Sequence, residues 1–161
     1  MTLQENRCLR RITRQGRPRA GGDARAGREL YRKHCAVCHR LFGEGETVGP
    51  DLTHANRKDR DSLLVGIVDP SALIRKEYVS YAVQTTDGRI LTGLMAAQTP
   101  GSITLLAAKN ERTTLSREKI ESIQESPASL MPEDLLKPLK PKELRDLFSY
   151  LQSEQPPPAR E

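Results

Sequence analysis

Apolar positions recur along this chain with two different periods, and the change from one to the other sets its organisation. Asp23 suits a helix start, and the pattern behind it predicts a helix from about Ala24 to Cys35, with Ala26, Leu30, Val37 and part of Tyr31 on one apolar side. The glycine-rich run Arg40 to Leu52 reads as a loop. Asp59 or Asp61 then caps a second helix with Leu63, Leu64, Ile67 and Val68 apolar, stopped by Asp69-Pro70. Beyond it the period falls to two. Val79, Tyr81, Val83 and Thr85 alternate, Asp87-Gly88 makes a hairpin turn, and Arg89 to Ala96 returns as a second strand. Pro100-Gly101 and Lys109-Asn110-Glu111 are further turns, separating strands at Ser102 to Ala107, Thr113 to Ser116 and Ile120 to Gln124. Helical periodicity resumes near Glu133. Pro141 serves as a first helical residue, and Leu144, Leu147, Phe148 and Leu151 stand at i, i+3, i+4 and i+7. Helices, then strands, then helices predict an α+β chain in which a small antiparallel meander or barrel, roughly residues 76–126, is inserted between helical halves.

Charge changes this picture only at the N-terminus. Residues 1–22 carry six arginines against Glu5, whereas residues 23–161 carry 20 basic and 20 acidic side chains, so the formal +5 of the whole chain belongs to the first 22 residues. That segment reads as a disordered basic tail or linker, and it has no interleaved aromatics to stack on bases, which argues against nucleic acid as a partner. Residues 153–161, with Pro156-Pro157-Pro158, read as an extended tail. No run of 18 apolar residues is present to span a membrane.

The chemistry is concentrated in Cys35-Ala36-Val37-Cys38-His39. Two thiols three positions apart can each add across one vinyl group of a porphyrin, and the next residue, His39, then lies under the iron as an axial ligand: this is the C-x-x-C-H pattern of a c-type haem. A haem also supplies a large apolar body to a chain with no Trp, two Phe and four Tyr. A redox-active Cys-x-x-Cys should open a helix after a strand, but here the motif ends a helical segment. A zinc site could recruit Cys35, Cys38 and His39 with one of His34, His54 or Cys8, yet the usual second Cys/His pair is missing. Chance cysteines, buried and inert, are the remaining reading. The following Gly49-Pro50-Asp51-Leu52 suits a loop whose backbone carbonyl accepts the Nδ1–H of His39 and sets its orientation.

A second axial ligand is sought downstream, among Met95, Met131 and His54. Met95 falls in a predicted strand and is more simply a core residue, while His54 is only 15 positions after His39 and belongs to the proximal loop. Met131 stands in Ser129-Leu130-Met131-Pro132, a proline-braced loop ahead of the last helix. It lies 92 positions beyond His39, a long reach that drops to 41 when the 51-residue strand segment is subtracted. His39 and Met131 are therefore the expected iron ligands, and Met131 as flexible core filler is the alternative.

Taken in order, Gly27-Arg28-Glu29-Leu30-Tyr31, Cys35 to His39, Val48-Gly49-Pro50-Asp51-Leu52-Thr53, Ile67-Val68-Asp69-Pro70-Ser71-Ala72, Asp87-Gly88-Arg89 and Ser129-Leu130-Met131-Pro132 are spread along most of the length of residues 24–152. This set resembles the c-type haem-binding domain at the C-terminus of planctomycete and verrucomicrobial dehydrogenase-like proteins. The resemblance implies a mainly α class I cytochrome c fold over residues 23–152, interrupted by the β insertion, with one haem c on Cys35 and Cys38 and iron between His39 and Met131. It further implies an electron carrier, not an enzyme, with a redox protein as partner. In the family the domain commonly follows a β-propeller resembling sugar dehydrogenases, which this chain does not contain. Haem attachment implies a periplasmic or otherwise exported protein, whereas the N-terminus lacks the apolar core of a secretory signal, so the chain is expected to be a fragment of something longer. Two other functions stay open: a haem-based sensing or binding module, and a zinc-stabilised structural domain. Lys140, ahead of Pro141, departs from the Ser, Thr or Asp expected at a helix cap.

Overall fold

The computed structural model describes residues 21–158, and the basic segment up to residue 20 and the last three residues lie outside them. The described residues contain three α-helices, α1 (Ala24–His34), α2 (Arg60–Val68) and α3 (Pro141–Leu151), and one five-stranded sheet of β1 (Ser80–Thr85), β2 (Ile90–Gln98), β3 (Ser102–Leu106), β4 (Arg112–Ser116) and β5 (Ile120–Glu125). The protein is α+β. It divides into two compact units, residues 21–34 with 136–158 and Cys35–Leu135.

In the first unit α1 packs on α3. Asp23 caps α1 as expected, its Oδ1 accepting from the N–H groups of Arg25 (2.8 Å) and Ala26 (3.4 Å). The helices approach closely at Gly27, where a side-chain methyl would run into the Asp146 carbonyl and stand 2.8 Å from Tyr150 Cβ. Around that contact Tyr31, Leu147, Tyr150 and Leu151 are fully buried, the two tyrosine rings tilted with centroids 5.3 Å apart. Asp146 is buried in the same place: it accepts the Asp23 N–H at 2.9 Å and the Lys142 ammonium at 2.6 Å. Burial pushes its pKa up, but these donors outweigh that and hold it below the ordinary value. Gly22, expected in the tail, belongs to this unit, its carbonyl accepting from Ser149 Oγ at 3.0 Å.

The missing cap of α3 is supplied from the other side. Lys140 offers no acceptor, but Glu143, three residues on, reaches back to accept its N–H at 2.7 Å. Glu133 to Pro138, where helical periodicity was expected to resume, forms turns instead, because Pro138 and Pro141 each remove a backbone donor.

In the second unit Asp59, not Asp61, caps α2, accepting from Ser62 N–H at 3.1 Å and Ser62 Oγ at 2.7 Å. The sheet is antiparallel in the order β4-β3-β2-β1-β5. Its two edge strands would lie about 19 Å apart in a flat sheet of ~4.8 Å spacing. Ser116 and Ile120 are joined by four Cα steps, at most roughly 15 Å. The sheet must therefore curl towards a barrel, around a core of Val83, Ile103, Leu105 and Leu115 with Tyr81, Leu91, Met95, Ile120 and Ile123 against it. Met95 thus packs in the sheet core, as its strand position suggested. Val79 lies just outside β1, which starts at Ser80. The sheet's entry and exit are neighbours: Ser126 donates to the Ser80 carbonyl at 2.8 Å.

Candidate haem site

The motif forms a tight turn directly after the last residue of α1. The Cys35 carbonyl accepts from both Cys38 N–H (3.1 Å) and His39 N–H (2.9 Å), which fixes the two sulfurs and the imidazole on one short stretch of backbone. The loop that follows then runs back along the motif. Glu46 donates to Ala36 (2.9 Å), Gly49 to Cys38 (2.7 Å) and Leu52 to Arg40 (2.8 Å), all between backbone groups. A two-residue turn allows this reversal: Leu41 and Glu44 exchange backbone hydrogen bonds of 2.9 and 3.0 Å, with Phe42 at φ 53° and Gly43 at φ 82°.

The strained Phe42 is held from several directions. Its N–H donates to Thr53 Oγ1 at 3.0 Å, and the half-buried ring lies under the Arg57 guanidinium, 5.0 Å from carbon to centroid. Arg57 Nη2 also reaches the Thr53 carbonyl at 3.4 Å. The pairing of Arg57 with Phe42 was not foreseen from sequence. It depends on where two loops meet, and neither residue stands in a recognisable spacing.

His39 is the best-positioned side chain of the loop. Its Nδ1 lies 2.9 Å from the Pro50 carbonyl, which can only accept, so the proton sits on Nδ1 and the imidazole lone pair on Nε2. This is the carbonyl contact that the Gly-Pro loop suggested. Gly49 makes it possible, since a Cβ there would stand 2.5 Å from His39 Cε1 and 2.8 Å from Nδ1. Burial lowers the His39 pKa and the Pro50 hydrogen bond partly offsets it, leaving a neutral ring suited to metal coordination. Burial, with the neighbouring Cys38, pushes Cys35 up to about 12, and burial also raises Cys38. Both thiols are held protonated at neutral pH, the opposite of an activated redox pair.

Zinc finds no support: among the described residues no group of three or more His, Cys, Asp or Glu side chains is placed to hold a metal ion. His54 is exposed, and Cys8 lies outside the described residues. An imidazole with its lone pair on Nε2, beside two protonated thiols three positions apart, is instead the donor set that a c-type haem requires. A family model for cytochrome c matches residues 24–155, which spans both helical ends, the motif and the sheet.

The chain belongs to the cytochrome c family. Cytochromes c bind haem and carry electrons, so this protein is a haem-binding electron carrier. No individual curated protein matches it. Among the described residues no helix of this cytochrome is long and apolar enough to cross a membrane.

Met131 belongs to the same compact unit as the motif, on the loop between β5 and α3. Sequence placed it on a loop but did not show what steadies that loop. Its N–H donates to Ser129 Oγ at 3.1 Å, and Ser129 N–H donates to Ser71 Oγ at 3.2 Å, beyond the end of α2. The motif has a partner in the sheet that sequence did not suggest either. Lys109, in the turn between β3 and β4 and at φ 58°, donates its N–H to the Val37 carbonyl at 2.9 Å.

Proposed function

We propose that this cytochrome carries one haem c, held by thioether links to Cys35 and Cys38, with His39 Nε2 and Met131 Sδ as the axial ligands. The observation that carries the reading is the His39–Pro50 hydrogen bond, closed over Gly49, which sets the tautomer and ring plane of an axial imidazole. Bound haem would supply a one-electron ferric/ferrous couple, and two protein ligands leave no coordination position for a substrate. Methionine ligation favours the ferrous form and suits a carrier that accepts electrons from a dehydrogenase partner.

The class I fold with an inserted β module belongs to the same proposal. Its support is the geometry of the sheet's two ends, β1 pairing β5 and Ser126 bonded to Ser80, so that the segment enters and leaves at one place, as an insertion into a host loop should. Export follows from the need for haem attachment outside the cytoplasm.

Met131→Ala in the haem-loaded protein tests the ligand set. It is expected to abolish the long-wavelength sulfur-to-iron charge-transfer band of the ferric form, and persistence of that band would remove Met131 from the iron. Carbon monoxide should leave the unmodified ferrous protein unchanged, because both axial positions are filled. Ready binding would favour a sensing module over a carrier.

A further inference from the structure

The loop that carries Met131 is pinned by serines from two elements distant in sequence. From β1, Ser80 Oγ donates to the Ala128 carbonyl at 3.0 Å. From the turn after α2, Ser71 Oγ accepts the Ser129 N–H at 3.2 Å and makes a long contact of 3.4 Å to Glu133 Oε1, on the far side of Met131. Ser129 Oγ in turn accepts the Met131 N–H at 3.1 Å. Ser71 itself stands on a stiff base. It follows the buried Pro70, within a turn closed by Ala72 N–H on the Asp69 carbonyl at 3.1 Å, and Asp69 N–H ends α2 on the Val65 carbonyl at 2.8 Å. The hydroxyl of Ser71 thus ties the residues before and after Met131 to the end of a helix.

We infer that Ser71, acting through Ser129, is a positioning residue that holds the Met131 thioether at the haem. This rests on Met131 being the ligand. A methionine on an untethered loop would exchange with water or small ligands, because the iron–sulfur bond is weak and the loop gains entropy on release. The Ser71 and Ser129 hydroxyls restrict the backbone on either side of Leu130 and so keep the bound arrangement populated. A hydroxyl is required at 71, since it must accept from Ser129 and donate to Glu133 at once.

The test is an imidazole titration of the ferric, haem-loaded full chain, read together with the sulfur-to-iron band and the melting temperature. Ser71→Ala should bind imidazole about threefold to tenfold more tightly, the range that loss of a typical hydrogen bond allows, and the band should weaken. Ser71→Thr, which keeps the hydroxyl, should restore both. Where Ser71→Ala does not accumulate with haem, Ser129→Ala breaks the same chain at its other link and should give the same increase. Unchanged imidazole affinity and band in Ser71→Ala, with or without a lower melting temperature, would overturn the inference, since a merely structural serine would move stability alone. Met131→Ala separates the two levels. If it keeps the band, the ligand assignment itself fails. If it loses the band while the serine variants bind imidazole like the unmodified protein, only the role of Ser71 fails.

Discussion

Position 49 shows how little room the site leaves around its imidazole. Gly49→Ala puts a methyl where His39 Cε1 and Nδ1 already stand, so the ring must tilt and the Pro50 hydrogen bond must open. We expect this variant to incorporate much less haem than the unmodified chain, measured as haem absorbance per polypeptide, while Gly66→Ala, with nothing within 4 Å of the added Cβ, should load normally. The turn that brings Cys35, Cys38 and His39 together was legible in the sequence because the three stand within five consecutive positions. The carbonyl partner of His39 was legible as a class of contact, since Gly-Pro after the motif implies a loop folded back on it. Ser71, Ser129, Arg57 and Phe42 were not legible. Ser71 and Ser129 are 58 residues apart, and Phe42 meets Arg57 only once its backbone enters the left-handed region.

Among the elements, the helices followed from period and capping, and the strands from alternation and turn residues, with ends displaced by a residue or two except before the last helix, where turns replace the periodicity expected from Glu133. What periodicity misses is the compensation between elements. Glu143 replaces the absent cap at Lys140, and Asp146 on α3 reaches across to accept the N–H of Asp23, the residue that caps α1. Asp146→Asn should destabilise the protein by roughly 1.5–3 kcal/mol near neutral pH, the worth of hydrogen bonds to a buried charged group. The pH dependence has a definite sign. The folded pKa of Asp146 lies below that of an unfolded aspartate, about 3.9, so its contribution is complete above that value and is lost as the pH falls through the folded pKa. Thermal melts should therefore show a gap between the unmodified protein and Asp146→Asn at pH 6 that closes in strong acid, and an equal gap at both pH values would contradict the role given to this carboxylate. Asp59→Ala, which removes the cap of α2, should cost about 1 kcal/mol in the same assay.

For the whole molecule, the order of helices, strands and helices gave away the α+β class and the meander, and the curl of the sheet follows from the short link between β4 and β5. The contact between Lys109 and Val37 did not follow from the sequence, because it joins a turn of the sheet to the motif across 72 residues. If the sheet is an insertion, replacing residues 81–125 by a short Gly-Ser link between Ser80 and Ser126 should leave a chain that still attaches haem, as those two residues are already hydrogen-bonded neighbours. A soluble shortened chain without haem would show that the sheet is part of the site. Covalent haem at the Cys35–His39 turn is tested most directly by a pyridine haemochrome spectrum of the denatured, acid-acetone-washed protein, made in cells with haem-attachment machinery. The spectrum should show one c-type haem per chain, which Cys35→Ala combined with Cys38→Ala abolishes. A chain that emerges from the same cells without covalent haem would contradict it.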